Sequence, residues 1–187
     1  MNTLFELDGQ ILLFIQEHIR CGALDGVMRL LSTLGNAGAI WIVTALALLF
    51  FRRTRRFGAA CALALLLGFV VTNLALKNII HRIRPYDVMA SLNILVKPER
   101  SFSFPSGHAT SSLAAGCALF LTLPRRYGTP ALLLGVLIAL SRMYVGVHYP
   151  TDVLAGAAIG ILLSEVALRA LRRPLRAWDA KHPASKA

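Results

Sequence analysis

Two long stretches without a single charge most constrain what this chain can become. Leu30–Phe51 runs 22 residues, and Phe57–Leu76 a further 20, with no Asp, Glu, Lys or Arg. A helix needs roughly 20 apolar residues to cross the hydrocarbon core of a bilayer. Ala109–Pro124, Tyr127–Ser141 and Val153–Ser164 are shorter uncharged runs, which span once their polar ends extend into the interface. The composition agrees: 56% apolar and 16% charged is far from the balance of a soluble domain. The chain is expected to be an all-α, polytopic membrane protein, a single domain over residues 1–187.

Residues 1–20 are not expected to be a signal peptide. They lack a basic start and a small-residue cleavage site, and they carry Glu6, Asp8 and Glu17. Their apolar residues, from Leu4 to Ile19, suit a short first helix, either spanning the bilayer or lying in its interface. Cys21, Cys61 and Cys117 are odd in number and lack metal-ligand spacing, so they read as small packing residues.

The net charge of +11 fits lipid headgroups and topology better than nucleic acid, because basic residues punctuate the apolar runs. The punctuation is RRTRR at 52–56, PRRY at 124–127 and LRRPLR at 171–176 followed by a polar tail. With Leu30–Phe51 counted as one span, alternation puts these segments on one side. That side then carries twelve Lys and Arg against six on the other, which assigns it to the cytoplasm. Three polar clusters fall together on the opposite, external face.

The first is KNIIHRIRPY, 77–86. Lys77 and Arg84 are two helical turns apart and share a face if the span continues, and Pro85 then stops the helix. The second is SFSFPSGHAT, 101–110. It sets a helix N-terminus, with Ser106 as a cap or first-turn residue and Gly107 permitting close backbone approach. Unpaired N–H groups and the helix dipole make such a start an anion site, with His108 in its first turn. The third is SRMYVGVHYPTD, 141–152, where Arg142 ends one apolar run and His148 and Asp152 open the next. A carboxylate four residues past a histidine holds one ring nitrogen and leaves the other as nucleophile or base.

Boundary Arg and Lys cost about 2.5–3.5 kcal/mol each on insertion scales, so several at one face favour a functional site. Three cations with backbone N–H donors match the three equatorial oxygens of a phosphoryl group in transfer. A second histidine can protonate the departing oxygen. No Asp/Glu cluster suits Mg²⁺ and no Cys/His spacing suggests zinc, so no metal or other cofactor is expected. The chemistry reads as metal-free phosphoryl transfer.

The chain resembles the type-2 phosphatidic acid phosphatase family of integral-membrane lipid phosphate phosphatases. That family's motifs K-x6-R-P, P-S-G-H and S-R-x5-H-x3-D occur here in order, at Lys77–Pro85, Pro105–His108 and Ser141–Asp152. Each alone is weak, but the ordered triple with its internal spacing is specific, and the likeness covers about residues 57–170. It implies a bundle of about six transmembrane helices, five spans plus the short N-terminal helix, in a bacterial cytoplasmic membrane. The site would lie at the outer helix ends. The resemblance further implies that His148 attacks phosphorus to form a phosphohistidine, that Asp152 orients it, and that His108 is the general acid. Lys77, Arg84 and Arg142 would hold phosphate oxygens, together with Ser106 and the Gly107 N–H.

An interfacial site without a soluble domain favours a lipid phosphate over a free metabolite. The compact chain is similar to small bacterial undecaprenyl-diphosphate phosphatases. Phosphatidylglycerophosphate or phosphatidic acid is the alternative substrate, and a lipid phosphotransferase would use the same residues. Vanadate-dependent haloperoxidases share a related site but are soluble, which this composition excludes. The expected partners are a phospholipid or isoprenoid-phosphate substrate and the bilayer, not nucleic acid; no oligomeric state follows. Segment 86–104 is expected to select the substrate, with Lys97 and Arg100 as solvated loop charges. Gly156 and Gly160 offer a small face for helix contact, and Glu165 and Arg169 stand four apart for an ion pair.

Overall fold

The computed structural model describes residues 3–181, which form helices and their connections with no strand among them. α1 (Thr3–Phe14) runs on into a π-helical turn, Ile15–Ile19. α2 (Gly22–Leu34) and α3 (Ala39–Phe50) flank a 3-10 turn, Asn36–Gly38. α4 (Arg55–Gly68) continues as π-helix over Phe69–Leu76 and ends in α5 (Lys77–Ile80). After the short α6 (Pro85–Val88) and a long connection come α7 (Gly107–Thr122), α8 (Arg125–Tyr144) and α9 (Pro150–Lys181). The basic tail beyond Arg172, counted above for topology, lies outside the described side chains.

Two expectations drawn from run length change. Leu30–Phe51 is not one straight span, because Ala37 (φ 51°) and Gly38 (φ 68°) take left-handed backbone and α2 and α3 bend by 50°. Gly35-Asn36-Ala37-Gly38 is turn chemistry inside an uncharged run. Nor does a helix carry Lys77 through to Arg84. His81 (φ 49°) closes α5, residues 81–84 are non-helical, and Pro85 opens α6 instead of ending a helix.

α7 is the hub, packed against α4, α8 and α9, with Ala109, Ala114, Ala115 and Ala118 wholly buried. Small residues let the backbones meet. A Cβ on Gly156 would lie 2.6 Å from the Ser106 carbonyl oxygen, and one on Gly160 2.5 Å from that of Thr110. The small face of α9 is therefore its contact with α7. Val43, Leu133, Leu154 and Leu162 stay exposed on the outside of the bundle, a surface suited to lipid tails.

α4 with its continuation, α8 and α9 are each long and apolar enough to cross a bilayer, and the bent α2–α3 pair adds a fourth candidate. α7 has 16 residues, about 24 Å of helix. The protein is thus an integral membrane helical bundle. The N-terminal segment is tied by its polar side chains to the connections at one end of the bundle. Asp8 meets Arg82 and Thr151, Gln16 meets Ser91 and Asn93, and Arg20 meets Tyr144 and Asn93, all toward one end of the bundle. Cys61 and Cys117 are buried packing residues, whereas Cys21 is exposed ahead of α2. Glu165 and Arg169 do approach, at 3.8 Å on an exposed surface.

Candidate active site

Helix direction brings the three clusters together. The end of α5, the start of α7, the end of α8 and the start of α9 share one end of the bundle, opposite the connections at 51–54 and 123–124. Ser106 caps α7, its Oγ accepting from the Ala109 N–H at 3.4 Å. Its own N–H donates to the Asp152 carbonyl at 3.0 Å, tying the starts of α7 and α9 together. The first-turn N–H groups of Gly107 and His108 have no partner within the helix. Both residues line a cavity shared with Lys77 and His148.

His148 is fully buried between α8 and α9. Its Nδ1 lies 3.4 Å from Asp152 Oδ2 and 3.5 Å from Ser103 Oγ, and its Nε2 lies 3.3 Å from Arg84 Nη1. A guanidinium N–H can face only a lone pair there, which assigns the proton to Nδ1 and leaves Nε2 bare. Burial first, then Arg84 and Arg142, pushes this imidazole well below its ordinary value, so it is neutral at neutral pH. Asp152 also accepts from the Ser103 hydroxyl, the Tyr149 N–H at 3.0 Å and Arg82 at 2.6 Å.

Lys77 and Arg84 converge although no helix joins them, each donating to Ser101 Oγ at 3.1 Å. Arg84 is fixed further by the carbonyls of Ser101 (2.7 Å) and Val147 (3.0 Å). Arg142, equally buried, donates to Ser32 Oγ.

The residue that sequence reading missed is Glu99. Its carboxylate bridges Arg84 (2.6 Å) and Arg142, one oxygen to each guanidinium. Burial alone would raise this carboxyl, but Arg142 and Arg84 outweigh it and hold it at about 2. A signal was available, since Glu99 is the sole acidic residue between Asp87 and Asp152. Lys97 and Arg100 are exposed loop charges, as expected. Asn36 was missed too. From the α2–α3 turn its Oδ1 meets His108 Nε2 at 3.0 Å.

The cavity, about 560 Å³, runs from Lys77, His108 and His148 to an apolar cleft lined by Leu46, Leu65 and Leu66. No group of three or more His, Cys, Asp or Glu side chains able to hold a metal gathers among the described residues.

All eight residues singled out from the sequence thus gather at this end. Residues 57–175 match the family model described as the PAP2 superfamily. The chain is 33% identical over 141 residues to an undecaprenyl-diphosphatase of Sulfolobus acidocaldarius, covering 75% of this chain and 68% of that one. It is 38% identical over 142 residues to a decaprenylphosphoryl-5-phosphoribose phosphatase of Mycolicibacterium smegmatis, with 73% of each chain covered. Among solved structures, the PAP2-type phosphatidylglycerolphosphate phosphatase of Bacillus subtilis superposes with a TM-score of 0.71 at 27% identity, covering 97% of this chain and 89% of that one.

Proposed function

The chain belongs to the PAP2 superfamily, and on that premise we propose that it hydrolyses undecaprenyl diphosphate through a phosphohistidine on His148. The observation that carries this reading is the joined cavity: Lys77, Glu99 and two histidines at its polar end, an apolar cleft beyond. Incoming phosphate displaces Glu99 from Arg84 and Arg142. It takes Lys77, the Gly107 N–H and the Ser106 hydroxyl for its remaining oxygens. His148 Nε2 then attacks the terminal phosphorus while its P–O bond to the bridging oxygen breaks, and His108 gives its proton to that oxygen as undecaprenyl phosphate departs. Asp152 balances the cationic ring. Water next gives a proton to His108 and attacks phosphorus, the P–N bond breaks, and inorganic phosphate leaves. No residue in this scheme requires a metal.

A polyprenyl substrate is favoured because the two relatives above are both named for polyprenyl phosphates. Phosphatidylglycerophosphate is the second reading, supported by the Bacillus subtilis structure. In this reading the site faces the external, periplasmic side of the cytoplasmic membrane, since the basic connections lie at the other end.

The test is phosphate release by the purified protein in detergent with chelator, from undecaprenyl diphosphate, phosphatidylglycerophosphate and phosphatidic acid, beside His148→Ala. Chelator-resistant release that vanishes in the variant, fastest for undecaprenyl diphosphate, is the expected result. A faster phosphatidylglycerophosphate reaction selects the second reading. Release that survives His148→Ala sinks the phosphohistidine, and a phosphorylated lipid acceptor in place of free phosphate identifies a transferase.

A further inference from the structure

We propose that Arg82 and Asp8 are a positioning pair that aims Asp152 at His148. Neither residue occupies a fixed position of the three motifs, and Asp8 precedes the region matched by the family model. The proposal rests on the reading of His148 as nucleophile.

The geometry is a two-sided clamp. Arg82 Nη1 donates to Asp152 Oδ1 at 2.6 Å and to Thr151 Oγ1 at 2.7 Å, and Nη2 donates to Asp8 Oδ2 at 2.7 Å. Asp8 is held in turn by the Thr151 N–H at 3.0 Å and the Thr151 hydroxyl. The guanidinium lies 4.0 Å over the Tyr149 ring, with Phe5 on α1 at 4.7 Å. With Oδ1 of Asp152 engaged by Arg82, Oδ2 is the oxygen that faces His148 Nδ1 and Ser103. Rotating the carboxylate would break the 2.6 Å bond from Arg82.

Charge gives Asp8 its purpose. Asp152 must oppose the positive charge that the ring gains as a phosphohistidine, but a lone Arg82 would cancel it. Asp8 restores a net charge of minus one to the trio while Arg82 fixes the geometry. A carboxylate only 2% exposed is expensive to bury without partners, and every partner of Asp8 leads to the start of α9 or to Arg82. The N-terminal helix thereby completes a site whose motif residues all lie elsewhere in the chain.

The experiment compares the full chain with Arg82→Gln, Asp8→Asn, the double variant and His148→Ala. It measures melting temperature, kcat, KM and the pH dependence of kcat/KM on the best lipid substrate. Arg82→Gln and Asp8→Asn are each expected to lower kcat about 10- to 100-fold, as loss of an outer partner does, with KM unchanged. The double variant should be no worse than Arg82→Gln, because Asp8 acts through Arg82. The acid limb of kcat/KM, set by His148, should move in opposite directions. Removing Arg82 leaves Asp152 uncancelled and raises the limb; removing the charge of Asp8 lets Arg82 dominate and lowers it. Arg84, Arg142, Lys77 and Glu99 also face His148 but are the same in every variant.

Loosening of the site would instead hydrate His148 and raise the limb in both single variants, and that result overturns the proposal. So does parent-like kcat in Asp8→Asn, whether or not Arg82→Gln folds. Activity in His148→Ala is a different failure: it removes the nucleophile reading first, and the positioning pair with it.

Discussion

If Arg84 and Arg142 hold the phosphate as proposed, Glu99 makes the resting site a competitor of its own substrate. Any phosphate that enters must break the bridge to Arg84 and Arg142. Glu99→Gln keeps the shape but removes the charge, so inorganic phosphate should inhibit the variant at about 3- to 10-fold lower concentration, up to roughly 1.4 kcal/mol. An unchanged inhibition constant would mean that the bridge does not oppose binding. The same variant should melt lower without ligand, because two buried guanidiniums lose their counter-charge, and phosphate should restore much of the loss. The pH sign follows from a folded value of about 2 against roughly 4.3 unfolded. The contribution of Glu99 is present above the unfolded value and lost as pH falls toward 2, so the difference in melting temperature closes over that window. His148 gives a second pH expectation. Its ring is held neutral well below 6.5, so the acid limb of kcat/KM belongs well below that pH. A limb at or above 6.5 would show that burial and the two guanidiniums do not hold the ring neutral.

At the scale of elements, the α2–α3 turn is what presents Asn36 to His108. Asn36→Ala should lower kcat, by no more than the roughly 100- to 10,000-fold that a general acid supplies, while leaving KM alone. Equal loss in KM would place Asn36 in substrate binding instead. The α7–α9 contact carries a stability expectation. A side chain on Gly160 meets the Thr110 carbonyl at 2.5 Å and the Ala114 nitrogen at 2.8 Å, both backbone, whereas Gly26 has open space. Gly160→Ala should therefore lower the melting temperature clearly, by about 1–3 kcal/mol of stability, and Gly26→Ala should not. These elements also show where sequence reading stops. Run length locates lipid-crossing segments, and the small residues of α9 are legible as a contact face. The break at Ala37 is hidden because its signal, two glycines and an asparagine, carries no charge. Arg84 was correctly joined to Lys77 for a wrong reason. Spacing suggested a shared helix face, yet the meeting point is Ser101, on the connection that follows α6.

Across the whole molecule, the motif residues were legible because spacing and alternation send them to one end of the bundle. The pairings of Asp8 and Glu99 were not, since their partners lie 74 residues and 15 or 43 residues away, and no local pattern records them. The cleft was equally invisible, because an apolar lining looks like any lipid-crossing face until helices are placed. Its position does decide how a lipid can bind. In the proposed reading the polar end holds the phosphate, and the cavity continues past the apolar side chains of Leu46, Leu65 and Leu66. A long tail laid along this path would fill the cleft, whereas a short phosphate monoester would not reach it. Leu65→Trp, filling the cleft below the histidines, should therefore cut kcat/KM for a polyprenyl substrate at least about 10-fold, or 1.4 kcal/mol, and leave a short water-soluble phosphate ester nearly unaffected. The ratio of the two kcat/KM values is the measurement, since misfolding lowers both and keeps the ratio. An unchanged ratio in a folded, active variant would mean that the tail leaves the site directly into the bilayer without entering the cleft.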